Sequence, residues 1–411
     1  MRRRELLQSA AALGGLSVMG VNTRAWALKN SEEAPQRLVV VFLRGAVDGL
    51  NVVVPHADKE YYALRPTIAV PPPGHKDGAL DLDGHFGLHP QLSSLMPMWK
   101  EKSLAFVHAS GSPDESRSHF QAQAYMETGT PGVGITPDGW LNRTLAALPG
   151  SHPVTEAVNF GPTMPRILRG TMPASSLDSA GGGGSRKAPP AAAPLVHSGF
   201  DSMYSGVDSL SVAYRQGQFA HARLMSELEQ DMSEAAGGAP LPIGFAQDAS
   251  HFCKLARKDP TIQVGFFALS GWDTHVREGS THGALSNHLR LLGQGLVELR
   301  KGLGDEGYGK TVILVVSEFG RTARENGNAG TDHGHGNVMW VMGGPVRGGM
   351  VYGEWPGLSD AHLHQGRDLA VTTDFRAVMG SVLKAHLRLS DAAVNRVFPG
   401  APPHSLPIVS A

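Results

Sequence analysis

Glu318 and Arg321 follow an apolar, mostly β-branched run, Val312 to Val316, and a Gly- and Asn-rich loop then leads to Asp332-His333-Gly334-His335. Carboxylate oxygens and imidazole nitrogens are the donors that divalent metals take from proteins. A second acid–imidazole pair, Asp273 and His275, lies in Ser270-Gly271-Trp272-Asp273-Thr274-His275. Two residues apart in extended chain, these side chains point the same way and can share one ion; the alternative is a polar loop. Asp48, in Arg44-Gly45-Ala46-Val47-Asp48-Gly49, is either another metal carboxylate or a turn aspartate that caps backbone. Ser118 stands between Arg117 and His119, ahead of the helical stretch Gln121 to Glu127. A Ser there either caps the helix or uses its anion-attracting start as a nucleophile or anion ligand, with Ser116 as the rival position.

Positioning these groups requires strands that end beside one another. Leu38 to Leu43, Ser103 to Ala109, Gln263 to Leu269, Val312 to Val316 and Val338 to Gly343 are short apolar runs of the kind buried on both faces of a sheet. Three of them run into an acid, Asp48, Asp273 or Glu318, at the carboxyl end, where open α/β sheets hold ligands. Asn51 to Pro55 reads as extended chain and Ala157 to Phe160 as a further strand. Between the runs lie helical patterns: Leu88 to Lys100, Trp140 to Leu148, Ser205 to Ala235, Phe245 to Leu255 and Leu285 to Leu303. In the last, Leu289, Leu292, Leu296, Leu299 and Leu303 form a packing stripe. A final helix, Ala377 to Leu387, takes Thr373 or Asp374 as its cap.

The chain of 411 residues is 41% hydrophobic and 18% charged, with a formal net charge of −1 and 19 histidines. It is long enough for one large domain or two modest ones, and the balanced charge without basic blocks argues against nucleic acid as the partner. Cys253 is alone, which rules out an internal disulfide, and it reads as a small buried apolar residue. Arg2-Arg3-Arg4, Leu6-Leu7, a weakly apolar stretch to Val21 and Ala25-Trp26-Ala27 have the order of an export signal over residues 1–27. The adjacent arginines give it the twin-arginine form, so the expected carrier is the twin-arginine translocase and the expected location periplasmic or secreted. No later run is long enough to span a bilayer. The mature domain is then 28–411, and 171–197, with GGGGS and APPAAAP, has the composition of a flap or linker.

The segments RGAVDGLN, SRSHFQAQAYMETG, GWDTH, SEFGRT, ENGNAGTDHGHGN, GGPVRGGMVYGEWPGL and TTDFRAV resemble, in kind and order, the DUF1501 family of exported bacterial proteins, from about Leu38 to Phe398. That resemblance implies an α/β protein, an alkaline phosphatase-like α/β/α sandwich with a largely parallel central sheet. In that superfamily two metal ions sit at strand ends beside a Ser or Thr nucleophile. Carried over, Asp48 resembles the first-strand ligand, Ser118 the nucleophile, Asp273 and His275 the pair on one metal, and His333 or His335 its distal histidine. Glu318 resembles the acid of the Asp-His pair on the other metal, but Phe319 stands where that histidine would be. One or two divalent ions are therefore expected: Zn²⁺ at the histidines, or Ca²⁺, Mg²⁺ or Mn²⁺ at an oxygen-rich site. The implied reaction is hydrolysis of a small-molecule or polymer phosphate or sulfate ester, with Arg117 or Arg321 on the equatorial oxygens. The competing reading is a non-catalytic extracytoplasmic binding or assembly protein on a degenerate fold. H-E-x-x-H is absent, which sets a zinc peptidase aside.

Overall fold

The structure, a computed structural model, describes residues 35–132, 136–177, 206, 208, 211–212, 233–403 and 406–410. The export signal expected at 1–27, residues 178–197 of the expected flap and most of the expected helix over 205–235 lie outside the described residues.

Among those residues the strands of the main sheet are β1 (Arg37–Leu43), β2 (Leu104–Gly111), β3 (Ala157–Phe160), β4 (Ser175–Leu177), β5 (Val264–Leu269), β6 (Thr311–Ser317), β7 (Asn337–Gly343), β8 (Val351–Tyr352) and β9 (Thr373–Asp374). They form one nine-stranded sheet in the order β8-β2-β7-β6-β1-β5-β3-β4, with β9 also on β2. All neighbours run parallel except at β7, which is antiparallel to both β2 and β6. The sheet is thus largely parallel, as expected. The edge strand β4 arises from within the stretch expected to be flap or linker: Ser175 to Leu177 pair with Val158 to Phe160.

Helices cover both faces, and β1 explains why its sequence is continuously apolar. Alternate residues point to opposite sides, so Val39, Val41 and Leu43 enter one core and Leu38, Val40 and Phe42 the other. In chain order the main helices are α1 (His119–Thr128), α2 (Trp140–Ala147), α3 (Phe245–Lys258), α4 (Ala284–Gly309) and α5 (Phe375–Ala385). Helices α3 and α4 seal the first face, with Leu289, Leu292, Leu296, Leu299 and Leu303 all buried there. Helices α2 and α5 seal the second through Trp140, Leu145, Phe375, Val378 and Val382. Asp374 caps α5 by accepting from the Arg376 amide. Cys253 is buried, and burial pushes its thiol up to about 12.

Two local expectations differ from what is found. Leu88 to Lys100 is a 3₁₀ segment, Pro90–Leu95, followed by a short α-helix, Met96–Lys100. Pro97 has no N–H to extend a preceding helix and fits only near the start of a new one. Asn51 is not extended: the Asp48 carbonyl accepts from the Asn51 and Val52 amides, making a helical turn over Gly49–Val52, and only Val53–Val54 is strand.

The register of the centre of the sheet is what builds a site. Leu43 is level with Leu269 on one side and with Ser317 on the other. Three parallel strands therefore release Arg44 to Asp48, Ser270 to His275 and Glu318 to Arg321 at the same height.

Candidate metal centre

Asp273 and His275 leave β5 and meet His333, from the loop after β6, and His119, the first residue of α1. Two glycines permit this closeness. Gly45 has a left-handed φ of 114°, and a Cβ there would lie 2.7 Å from the Asp273 amide nitrogen. At Gly334 a Cβ would lie 2.4 Å from the Arg321 backbone, where Arg321 and His333 form an isolated antiparallel bridge.

The three imidazoles are held from behind by acceptors. His119 Nδ1 lies 2.7 Å from Glu318 Oε1, His275 Nδ1 lies 3.0 Å from Asp332 Oδ1, and His333 Nδ1 lies 2.9 Å from the Arg117 carbonyl oxygen. Two carboxylates and a carbonyl accept hydrogen bonds and donate none, which assigns a proton to each Nδ1. The three Nε2 atoms then face inward. His333 Nε2 is 3.0 Å from His119 Nε2 and 2.9 Å from His275 Nε2. Asp273 Oδ1 lies 3.0, 3.6 and 3.8 Å from the Nε2 atoms of His275, His333 and His119. Bonds of about 2.0–2.1 Å to a tetrahedral metal would set neighbouring donors about 3.3 Å apart, and these separations straddle that value. Asp273 Oδ2 is buried and has no hydrogen-bond partner among the described residues. Convergent lone pairs and an orphaned carboxylate oxygen fit a divalent cation. His119, Asp273 and His333 form the group that could hold it, and His275 adjoins them.

The electrostatics describe the same demand for positive charge. Burial pushes the Asp273 carboxyl up, but the three imidazoles beside its Oδ1 and the charge of Arg321 hold it far below the usual range. Burial opposes charge on His119, yet the neighbouring carboxylates of Asp273 and Glu318 raise it to about 9, and His275 is raised likewise by Asp273 and Asp332, whereas burial pushes His333 down. Burial also pushes Glu318 up, and the bond and charge of His119 bring it down to about 2. The bond from His275 holds Asp332 at about 2.

The other residues singled out in the sequence take different places. Glu318 and Asp332 stand behind histidines and not among the inward-facing atoms. Asp48 is fully buried against Arg65, at 2.5 and 3.0 Å, and is outside the cluster. The Arg321 guanidinium is fully buried and bonded to the carbonyls of Ala46, Gly45, Trp272 and Thr331 and to Asp273, so it positions Asp273 and does not reach out to a substrate. Arg117 pairs with Asp368 and Gln365, and its carbonyl orients His333. His335 stacks on His364 at 4.5 Å between ring centroids, away from the cluster. Ser118 is the N-cap residue of α1; its side chain is exposed and makes no capping bond. His119, its neighbour, was the residue whose role sequence reading missed. Its only signal was adjacency to Ser118. Phe319 lines the same space, 4.9 Å from the His119 ring and 5.2 Å from that of His333.

Residues 111–398 match the family described as "Protein of unknown function (DUF1501)". The chain belongs to the DUF1501 family. The DUF1501 match takes in His119, Asp273, His275, Glu318, Arg321, Asp332 and His333, and leaves β1 and Asp48 outside it. No curated protein matches the chain. Among solved structures it is similar to the lipoteichoic acid synthase LtaP from Listeria monocytogenes, with 9% identity, a TM-score of 0.32, and coverage of 83% of this chain and 75% of that one. No helix among the described residues is long and apolar enough to cross a membrane.

Proposed function

We propose that this DUF1501 protein is an exported, metal-dependent hydrolase of phosphate or sulfate esters. The observation that carries the reading is the convergence of three Nδ1-anchored imidazoles on Asp273 at the carboxyl end of a parallel sheet. A divalent ion bound there supplies Lewis acidity to an ester oxygen and to a neighbouring hydroxyl. His119, His275, His333 and Asp273 would hold the ion, and Glu318, Asp332 and the Arg117 carbonyl fix the imidazoles in the binding tautomer. Arg321 keeps Asp273 ionised and in place.

Ser118 is the proposed nucleophile. Its hydroxyl is exposed at the start of α1, one residue before His119, and is free of the capping bond that such a serine usually makes. Ser118 Oγ forms a bond to phosphorus or sulfur and gives its proton to water, while the ester oxygen leaves with its electron pair and is protonated by water. A second water then releases inorganic phosphate or sulfate and restores the hydroxyl. The proposed export route is the twin-arginine translocase.

The packing of Phe319 against His119 and His333 favours a second reading, a metal kept for stability in a binding or assembly protein, because an aromatic wall leaves less room for a second ion. Elemental analysis of the exported protein, with a screen of phosphate and sulfate monoesters, separates the two. Turnover that needs metal and is lost in His333→Ala supports the hydrolase. Stoichiometric metal without turnover of any ester supports the binding protein.

A further inference from the structure

A cavity opens on the same end of the sheet as the metal centre, beyond β5. It encloses about 190 Å³ and reaches the carboxyl ends of β3 and β5 at Phe160 and Ala268, the level where ligands sit in open α/β sheets. At about 30 Å³ per water in the liquid, that is room for a small ion or the end group of a larger molecule.

Its charged lining consists of three arginines, Arg44, Arg166 and Arg169, against one carboxylate, Glu127. That carboxylate is already committed: Glu127 Oε1 pairs with Arg44 Nη2, and Oε2 accepts from the Ile167 amide at 2.8 Å. Arg44 is buried, and its Nε has no hydrogen-bond partner among the described residues. Arg169 uses only its Nε, on the Met164 carbonyl at 3.1 Å, and neither Arg166 nor Arg169 has a carboxylate partner among the described residues. Three cations against one carboxylate, with two of the cations free of any carboxylate among the described residues, give a concave site the excess of positive charge an oxyanion needs.

We infer that this cavity is a second, anion-binding site that takes a tetrahedral oxyanion, sulfate or phosphate, either free or as the end group of an ester. The site does not depend on the metal reading, because none of its lining residues is one of the four that converge on the ion. It does touch that centre indirectly. Arg44 Nη1 donates to Gln123 Oε1, Gln123 Nε2 donates to Glu318 Oε1 at 3.0 Å, and Glu318 holds His119.

The test is isothermal titration of the full-length protein with sodium sulfate and with sodium phosphate at constant ionic strength. It is run on the wild type, Arg166→Gln, Arg169→Gln, the double variant, and His333→Ala. Saturable binding to the wild type and to His333→Ala is expected, weakened about tenfold for each arginine removed. Methyl phosphate, titrated alongside, supports a substrate end group if it binds as tightly as the free ion, and a free-ion site if it does not bind. The inference is overturned if the wild type shows no saturable binding at millimolar anion. It is equally overturned if binding survives the double variant, or vanishes in His333→Ala, since that puts the anion at the metal centre. Because both arginines lie toward the surface, circular dichroism melts of the variants verify folding, and the single variants carry the test if the pair does not fold.

Discussion

Glu318 and His119 form the bond on which the centre turns: Nδ1–H of His119 donates to Oε1 of Glu318 across 2.7 Å. Glu318 is itself fixed by the Gly45 amide at 2.8 Å, by Gln123 Nε2 at 3.0 Å and by the Ser317 hydroxyl at 3.0 Å. A carboxylate held by so many donors orients an imidazole and raises its basicity without touching the ion. Glu318→Gln is therefore expected to weaken metal affinity by about 10–100-fold while leaving full occupancy at saturating metal. Competition against a chromophoric chelator reads this directly. Loss of metal even at saturation would make Glu318 a ligand, and an unchanged affinity would leave the bond without a role.

Neighbouring residues in the sequence should separate cleanly in function. Replacing His119 with Ala removes one of the inward-facing Nε2 atoms and should empty most of the metal from the purified protein. Ser118→Ala should retain the metal and lose ester turnover by about 10³-fold or more, as removal of a nucleophile does. Metal content by elemental analysis, together with single-turnover trapping of a phosphorylated or sulfated Ser118, distinguishes the two. Full activity in Ser118→Ala would eliminate the covalent route.

Much of this was legible in the sequence because strands buried on both faces announce themselves. Five apolar runs became β1, β2, β5, β6 and β7, and the acids after three of them lie where the runs end. Two things were not legible. Whether a carboxylate faces an ion or stands behind a histidine is set by the tertiary packing around it, and no spacing encodes that; Glu318 and Asp332 look like ligands from composition alone. The other is pairing across long separations. Asp48 reads as a metal acid until the short helix Lys59–Leu64 brings Arg65, at its end, against it, and His119 reads as a neighbour of the candidate nucleophile until β6 delivers Glu318 to its Nδ1. The direction of β7 was equally hidden, since an apolar run carries no sign of its polarity.

Acid should destabilise the fold through histidines remote from the centre. His89 and His108 are buried, each with Nδ1 accepting a backbone amide, from Gln91 and Ala109, and Nε2 donating to a carbonyl, of Ser280 and Val53. The neutral ring is fully satisfied and a second proton has no acceptor, so burial pushes both down to about 4. Unfolded, they titrate near about 6.5. Between those values the unfolded chain binds more protons than the folded one, so stability is lost as pH falls, by about 1.4 kcal/mol per unit for each histidine. Urea midpoints measured from pH 6 to 5 in a His333→Ala background, where metal release cannot contribute and the raised His119 and His275 are already protonated, should fall. His108→Gln should flatten the slope, and a midpoint that rises on acidification would refute the assignment.

Asp48 offers the sharpest separation between an ion pair and a metal ligand. Its two oxygens lie on Arg65, both residues are fully buried, and Arg65 also donates to Asn51, Ala323 and Thr322. Removing one partner of such a pair costs about 3–5 kcal/mol, because the other charge stays buried. Here a reserve exists. Burial and the adjacent Asp48 push the Glu278 carboxyl well above its usual range, which favours its neutral form beside the pair, with Thr274 and Thr331 donating to it at 3.0 and 2.6 Å. Once Asp48→Asn removes the negative charge, Glu278 can ionise and take over part of the compensation for Arg65. Asp48→Asn should therefore cost less than that range, and Asp48→Asn with Glu278→Gln should cost more than the sum of the two single changes. Metal content per folded molecule should be the same in all three proteins. A double-mutant cycle in urea with parallel elemental analysis reads both quantities. Strict additivity would deny the handover of charge, and loss of metal from folded Asp48→Asn would return Asp48 to the metal.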